Sequence, residues 1–523
     1  MTSPEAAWRA LVEKELGGSP FDKALVQPVL DGVAVAPLYT SVPAKAFREL
    51  RSHDGPWVCM RYSSATAEED VRSGADALWL PAEALDKAPK TRWVVDPSAA
   101  GLAVAEAERA AAFDGAVFAF DPLGTDAMAE LPRVARVLGD GRPAIVVSTV
   151  AYHDAGADAA DELACALSTF ALYLRELDDP SSVSFRLAVG RETFLELCKL
   201  RALRTCHARL LAAAGVKTPG RALVHAVCSS RTLTQRDPWV NMLRVTTQAF
   251  AAMAGGADFF TPAAFDQELE QPSALGRRVA RNTALVLRDE SGLGRVTDPA
   301  GGSYTFETLT DALAREAWKR FQVMERTGGI AQSLARKELQ ARLATAAAER
   351  ADKVVKRKLP VLGVSDFANL DEVLPRTPRA SSAAVAGAAF PLRRDAEPLE
   401  ALRTRVEAAK PALVVLLTLG TFAQSRPRAG FAQGFFAAAG LRTREVATPE
   451  KAAVVCLCGS DERYVAEAAA RVAELKALGC RRVLLAGRPG ALDAALREAG
   501  LDGALFLGAD VVATLSPLLE VLS

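Results

Sequence analysis

Residues 182–189, SVSFRLAV, give the clearest sign of the fold. They form a mostly apolar run of strand length, and similar runs recur along the first half of the chain between segments with helical spacing, such as 103–113 and 161–177. Continuous apolar strands are typical of a parallel sheet that is buried on both faces. Repeated strand–helix units over this length predict a (β/α)8 TIM barrel. The other runs are ALWL (77–80), RWVV (92–95), GAVFAF (115–120), AIVVS (144–148) and LVHAVC (223–228).

A second, shorter alternation follows a stretch of different character. Residues 375–398 are rich in proline, alanine and serine and show no periodicity, which is typical of a linker. Beyond them, strand-like and helical segments alternate again, which predicts a flavodoxin-like doubly wound sheet. The predicted strands are 412–417, 453–458, 482–486 and 504–507, and the predicted helices lie near 429–439, 462–478, 491–499 and 511–522. The predicted division is an N-terminal arm (1–32), a barrel (33–374), a linker (375–410) and a smaller domain (411–523).

The composition narrows the class of protein. Half of the 523 residues are hydrophobic, so we expect a large buried core. The 63 basic residues balance the 63 acidic ones, which argues against nucleic acid as the main partner. The chain shows neither a signal-peptide apolar run at its start nor an apolar window of about 18 residues, so we predict a soluble cytoplasmic protein without a membrane span.

Neither the histidines nor the cysteines form a pattern that indicates a metal or redox site. His53, His207 and His225 do not cluster with carboxylates at metal-ligand spacing, so we expect no metal site. None of the eight cysteines belongs to a C-x-x-C pair, which predicts reduced thiols that serve as small core residues. Cys456 and Cys458 face the same side of a predicted strand, and we interpret them as core residues rather than a redox pair.

Several motifs resemble those of the methylmalonyl-CoA mutase family. The longest, residues 232–266 (TLTQRDPWVNMLRVTTQAFAAMAGGADFFTPAAFD), is similar to a barrel segment of that family in spacing and residue type. The resemblance covers most of the predicted barrel and continues into the smaller domain, which binds cobalamin in the family's active chains. Shorter matches are PLYT (37–40), PW (56–57), RY (61–62), TAEE (66–69), RNT (281–283) and DPAGGSY (298–304).

The residues that bind cobalamin in active chains of the family are replaced here. Those chains carry Asp-x-His-x-x-Gly after the first strand of the smaller domain, where the His coordinates cobalt and the Asp orients its imidazole. By the resemblance, Phe422, Gln424 and Pro427 stand at the Asp, His and Gly positions. The Ser-x-Leu and Gly-Gly signals that follow are replaced by CLC (456–458) and AGRP (486–489). The resemblance therefore implies the family's small, non-catalytic (beta) subunit, with a degenerate cobalamin-binding domain.

The barrel shows corresponding losses relative to the family. Active chains carry a YPTMY stretch that places a Tyr over the substrate, whereas the same approach reads RSHDG at 51–55. The family's Gln-Asn-Asp-x-Leu-Lys-Glu stretch, part of its acyl-CoA site, has no counterpart between residues 120 and 145. Tyr152 and His153 survive, and we interpret His153 as a structural hydrogen-bonding group, with donation to a thioester carbonyl as the alternative. We therefore predict no catalytic, cofactor-binding or metal-binding residues in this chain.

The resemblance implies that this chain is half of a heterodimeric isomerase. With a large catalytic subunit that holds adenosylcobalamin and the acyl-CoA substrate, it would interconvert methylmalonyl-CoA and succinyl-CoA while acting as a structural partner. Its retention of both barrel and smaller domain favours the methylmalonyl type over isobutyryl-CoA mutases, whose cobalamin domain is separate. Two alternatives stay open. One is a stand-alone, cobalamin-independent acyl-CoA-binding protein or enzyme with a pocket lined by Tyr152, His153 and Arg61. The other is a chain that still turns over CoA esters with cobalamin supplied in another way.

Overall fold

The N-terminal arm forms two helices and a hairpin, which lead into the larger part of the molecule. The computed structural model describes residues 3–42, 55–98, 103–113, 115–123, 127–138, 142–177, 179–217, 220–375, 377, 390–409 and 412–522. Within the arm the structure places α1 (Pro4–Glu15), α2 (Phe21–Leu25), and the antiparallel strands β1 (Gln27–Leu30) and β2 (Val33–Val35).

Eight parallel strands follow, and they are β3 (Trp57–Arg61), β4 (Ala77–Pro81), β5 (Arg92–Asp96), β6 (Val117–Phe118), β7 (Ile145–Ser148), β8 (Val183–Val189), β9 (Leu223–Cys228) and β10 (Phe259–Thr261). Each pairs with its neighbour in chain order, and β10 pairs with β3. A parallel bridge from Phe120 to Ile145 joins β6 to β7 and completes the circle. Sequential neighbours and last-to-first closure define a TIM barrel, so the predicted fold of this part is confirmed.

Helices surround the barrel because their apolar faces pack on the outer side of the strands. Most residues of helices α7 and α8 are buried, since α11 packs on both of them. The helices are α3 (Ala67–Arg72), α4 (Ala103–Ala111), α5 (Leu131–Val137), α6 (Val150–Ala155), α7 (Ala159–Leu174), α8 (Thr193–Ala213), α9 (Asn241–Ala254), α10 (Ala274–Leu285), α11 (Tyr304–Arg326), α12 (Gly329–Ala335) and α13 (Glu338–Val355). None of the helices in the described ranges has the length and apolarity that a membrane crossing requires.

The C-terminal part is a five-stranded parallel sheet with helices on both faces. Its strands are β11 (Val414–Thr418), β12 (Thr443–Val446), β13 (Val454–Cys458), β14 (Arg482–Ala486) and β15 (Gly503–Leu505). The spatial order β12-β11-β13-β14-β15 is that of the flavodoxin-like fold, which confirms the predicted class. The helices of this part are α14 (Glu397–Ala409), α15 (Phe422–Ala438), α16 (Asp461–Arg463), α17 (Ala469–Ala477), α18 (Asp493–Glu498), α19 (Val511–Leu515) and α20 (Leu519–Leu522).

Two elements of the C-terminal part differ from the sequence prediction. Helix α15 begins at Phe422, well before the predicted 429, and it includes Pro427. A capping box between Thr421 and Gln424 satisfies free main-chain groups at its N terminus, which stabilises a helix that proline alone would argue against. Strand β12 was not predicted, because its sequence TREV lacks the apolar run of a central strand. It lies at the sheet edge, where polar residues are tolerated.

Candidate functional site

The carboxyl end of the barrel, where enzymes of this fold build their active sites, contains a cluster of stacked polar side chains. Trp79 Nε1 donates a hydrogen bond to Asp96 Oδ2 at 2.7 Å, and Arg186 Nη2 donates to Asp96 Oδ1 at 2.8 Å. Strands β4 and β8, which carry Trp79 and Arg186, lie four positions apart in a ring of eight and so face each other. The contacts between these side chains therefore cross the lumen of the barrel.

The indole of Trp79 is the centre of this cluster. The guanidinium carbons of Arg61 and Arg186 lie 3.9 Å and 4.2 Å from its ring centroid, so the ring interacts with two cations. The His225 ring packs edge-on against the same indole at 5.3 Å, and its Nε2 lies 2.8 Å from Thr261 Oγ1. Burial, and then the charges of the two arginines, hold the pKa of His225 well below its usual range. His225 is thus a neutral group in a packed lumen.

His153 belongs to α6, the helix that follows β7, and is fully buried. Its Nδ1 is 2.6 Å from Glu162 Oε1, and its Nε2 is 2.6 Å from Ser229 Oγ. Burial, followed by the positive charges of Arg231 and Lys199, holds the pKa of His153 well below its usual range. A neutral imidazole here donates to Glu162 and accepts from the Ser229 hydroxyl. The order serine, histidine, acid is that of a hydrolase triad, but all three side chains are buried, so the geometry fits the structural interpretation of His153.

A buried lysine, which sequence reasoning missed, completes this network. Lys199 Nζ lies 2.9 Å from Glu162 Oε1 and 2.5 Å from Glu196 Oε2, and it donates to the Ala188 carbonyl at 2.8 Å. Glu196 and Lys199 are three residues apart on α8, a spacing that is also typical of pairs on solvated helix faces. The only signal for burial is the apolar sequence around them.

Tyr152, His153 and Arg61 make separate sets of contacts in the described structure. The Tyr152 ring packs away from the lumen, 4.9 Å from the ring of Phe390 and in an apolar cluster with residues of α7 and α13. Arg61 lines a cavity of about 350 Å³ at the barrel mouth together with Ser230, Pro262, Gln267, Arg277 and others. Within the described ranges Tyr152 and Arg61 thus have different surroundings.

The remaining histidines and cysteines show no metal or redox arrangement within the described ranges. His207 stacks on Phe170 at 5.0 Å, and burial lowers its pKa to about 4. Within the described ranges all eight cysteines are buried and none forms a disulfide, and no group of three potential metal ligands was found there. His53 and the rest of the 51–54 stretch lie outside the described residues.

At the carboxyl edge of the C-terminal sheet, polar side chains form a helix cap and an ion pair within the domain. Gln424 Oε1 accepts a hydrogen bond from the Thr421 main-chain N–H at 2.9 Å, so this amide caps α15. The Phe422 side chain is 75% exposed. Arg428 pairs with Asp461 at 2.5 Å and lies so close to Gly487 that a Cβ there would come within 2.6 Å of Arg428 Nη1. These residues do not fit a cobalamin site, because no imidazole is present at the ligand position and Arg428 lies against Gly487.

Comparisons with known proteins agree with this architecture. Residues 140–411 match the family described as methylmalonyl-CoA mutase. The chain is 35% identical to a methylmalonyl-CoA mutase small subunit of Streptomyces virginiae, over 98% of this chain and 96% of that one. It is 40% identical to a probable methylmalonyl-CoA mutase small subunit of Mycobacterium tuberculosis, over 72% of this chain and 65% of the relative. For the small subunit of Propionibacterium freudenreichii subsp. shermanii the identity is 36%, over 75% and 65%. The chain thus matches slightly less than two thirds of the last two relatives.

Proposed function

This chain belongs to the methylmalonyl-CoA mutase family, and from that premise we propose that it is the small subunit of a heterodimeric mutase. The large subunit would carry adenosylcobalamin and the acyl-CoA, and the pair would interconvert methylmalonyl-CoA and succinyl-CoA. This chain would act as a structural partner without catalytic, cofactor-binding or metal-binding residues. Its parts would be the arm at 1–32, the barrel at 33–374, the linker at 375–410 and the degenerate cobalamin-binding domain at 411–523.

The filled barrel lumen is the observation that carries the non-catalytic role. A TIM-barrel enzyme needs room for its substrate at the carboxyl end of the strands. Here a cavity of about 350 Å³ remains at the barrel mouth, but the contacts of Arg186 with Trp79 and Asp96 span the lumen from β8 to β4 and β5. Opening the lumen would separate Arg186 from its carboxylate, and a buried charge without a partner is strongly unfavourable. The lumen is therefore expected to stay closed.

The absence of a cobalamin ligand set supports placing the cofactor on the partner. Adenosylcobalamin supplies radical chemistry to this family through cleavage of its cobalt–carbon bond. The Gln424 amide has no basic ring nitrogen and is engaged in the helix cap. The Phe422 side chain offers no acceptor to orient a ligand. Both observations favour a domain that keeps the fold of its relatives without their cofactor.

The surface of the arm supports a role inside a complex. Helix α1 has no buried residue in the described chain, and its Leu11 is 65% exposed. Trp8 packs on the short helix α2, with a ring centroid distance of 6.0 Å to Phe21. Obligate interfaces are apolar, so a helix of this kind is expected to be covered by another chain. The relatives' designation as small subunits implies that a larger subunit exists. With eight thiols that need a reducing environment, we also propose a cytoplasmic location.

The test is a reconstitution of the mutase from separately purified chains. This chain, the large mutase subunit from the same organism, and their mixture are each assayed for succinyl-CoA formation from methylmalonyl-CoA with adenosylcobalamin. We expect no turnover by this chain alone and a stable, active complex after mixing. Turnover by this chain alone at the rate of the complex would refute the structural role. A monomer that binds acyl-CoA tightly and does not bind the large subunit would support the stand-alone alternative.

A further inference from the structure

A cavity of about 280 Å³ lies between the barrel and the segment that leads into α14. Four arginines line it, and they come from three separate parts of the chain. Arg231 follows β9, Arg350 belongs to α13, and Arg393 and Arg394 precede α14. The two acids on the wall are Asp395 and Glu397, so the lining carries two more positive than negative charges. The rest of the wall is small and apolar: Gly156, Ala347, Ala348, Ala351, Pro398 and Ala401.

Two of the four arginines are matched by carboxylates of the protein. Arg350 Nε and Nη2 donate to the two oxygens of Asp395 at 2.7 Å and 3.1 Å, a bidentate pair. Arg394 Nη1 donates to Glu400 Oε2 at 2.6 Å. The charges of these two guanidinium groups are therefore offset within the protein itself.

Arg231 has no such partner among the described residues. Its side chain is only 6% exposed, and its Nη1 donates to the main-chain carbonyls of His153 and Ala157 at 2.5 Å and 2.9 Å. Its Nε is buried without a hydrogen-bond partner. Carbonyl groups orient a guanidinium but do not neutralise it, and burying an unpaired charge is strongly unfavourable.

The carboxylates near Arg231 are engaged or weakened as counterions. Asp395, the carboxylate that acts most strongly on Arg231, is bound by Arg350, and Glu162 is bound by Lys199 and His153. Burial raises the pKa of Asp154 to about 7, which weakens this carboxyl as a counterion. Arg393 adds a second guanidinium with an exposed side chain, and Glu397 is the one wall carboxylate outside the two pairs described above. An anion from solution would supply the missing charge.

We propose that this cavity binds a small oxyanion, such as a phosphate or carboxylate group, between Arg231 and Arg393. Planar guanidinium groups match the oxygens of phosphate and carboxylate, which favours this class of ligand over halide ions. The alanine and proline wall leaves room for a few heavy atoms only. The anion joins the barrel loop after β9 to the segment before α14, so binding stabilises the contact between the barrel and that segment. This site is independent of the subunit's role in the mutase.

The experiment is isothermal titration calorimetry of the full chain with sodium phosphate and, separately, sodium succinate, each against sodium chloride at matched ionic strength. We expect saturable binding at one site for at least one of the two oxyanions. Tighter phosphate binding assigns a phosphoryl ligand, and tighter succinate binding assigns a carboxylate. Arg393→Ala is expected to weaken binding about tenfold or more, whereas Arg444→Ala, at an exposed ion pair of the C-terminal sheet, should leave it unchanged.

A second variant separates loss of the site from loss of the fold. Arg231→Lys keeps the charge but removes the planar fork, and its circular dichroism and melting curve establish whether it is folded. In the folded variant we expect weaker oxyanion binding. Absence of saturable binding of either anion to the wild-type chain overturns the proposal, as does binding that neither Arg231→Lys nor Arg393→Ala weakens.

Discussion

Replacing Lys199 by methionine tests the buried network at the carboxyl end of the barrel. The ammonium group of Lys199 is fully buried, and it holds the carboxylates of Glu162 and Glu196 at 2.9 Å and 2.5 Å. Methionine has nearly the same length but no charge, so the packing is largely kept while both carboxylates lose their cation. Removing one partner from a buried ion pair costs about 3–5 kcal/mol, and we expect a loss of unfolding free energy in that range.

The loss should depend on pH in a defined direction. Burial already raises the pKa of Glu162, and the positive charge of Lys199 counteracts that rise. Without Lys199 the folded-state pKa of the Glu162 carboxyl lies further above the unfolded value of about 4.3, so the folded state binds more protons than the unfolded chain. The Glu162 carboxyl then lowers stability by about 1.4 kcal/mol per pH unit above pH 4.3, until its folded-state pKa is passed. The wild-type lysine, with a raised pKa, stays charged throughout this range.

The assay is urea denaturation at pH 5.5 and pH 8, followed by tryptophan fluorescence. All six tryptophans lie before residue 374, so the fluorescence reports the arm and the barrel and not the C-terminal sheet. The matched control is Lys319→Met, because this lysine is 73% exposed and pairs with Glu316 on the surface of α11. The control should change stability by less than about 1 kcal/mol. A Lys199→Met chain as stable as this control at both pH values would refute the buried network.

Three further predictions concern the packing around the same barrel. Burial lowers the pKa of His207 to about 4, below the unfolded value of about 6.5, so stability should fall by about 1.4 kcal/mol per pH unit as pH drops from 6.5 towards 4. His207→Leu should remove this part of the slope in urea titrations. Gly156→Ala should lower the melting temperature more than Gly215→Ala: both glycines have positive φ, but only at Gly156 would a Cβ meet an α13 carbonyl, at 2.5 Å. Arg236→Met removes a 2.6 Å ion pair to Glu407 of α14 and should separate the unfolding of the barrel from that of the C-terminal sheet in calorimetry.

Each of these predictions has an outcome that contradicts it. Equal pH slopes for wild type and His207→Leu would mean that this histidine is not buried as described. Matching melting temperatures for the two glycine variants would argue against the close approach of α6 to α13. An unchanged calorimetric profile for Arg236→Met would show that the ion pair to α14 does not couple the two parts of the molecule.

The sequence predicted the two folds because long apolar runs identify most central strands. It did not identify β3 and β10 as strands, since Phe259–Thr261 has only three residues and Trp57–Arg61 ends in a charge. Short barrel strands are held by their neighbours around the closed ring, and this stabilisation leaves little periodicity in the sequence. The positions of β3 and β10 in the barrel follow only from the strand pairing in the structure.

The sequence alone predicted which cobalamin-binding residues of the family are replaced. It did not predict which side chains contact one another in the candidate site. The residues at 422, 424 and 427 could be compared with a known motif, but the capping role of Gln424 depends on where α15 begins. The contact of Arg186 with Trp79 and Asp96 joins strands on opposite sides of the barrel, and residues about 90 positions apart carry no local signal of it. Burial of Lys199 likewise depends on helices that pack around α8 from distant parts of the chain.

A titration of the isolated chain with adenosylcobalamin, followed by absorption spectroscopy and calorimetry, tests the central claim most directly. The capped Gln424 and the Arg428–Asp461 pair predict no saturable binding and no change in the cofactor spectrum. The large subunit, titrated in parallel, should bind and provides the positive control. Tight, saturable binding by the isolated chain would contradict the account, because the cofactor would then have a site in the chain that we describe as its structural partner.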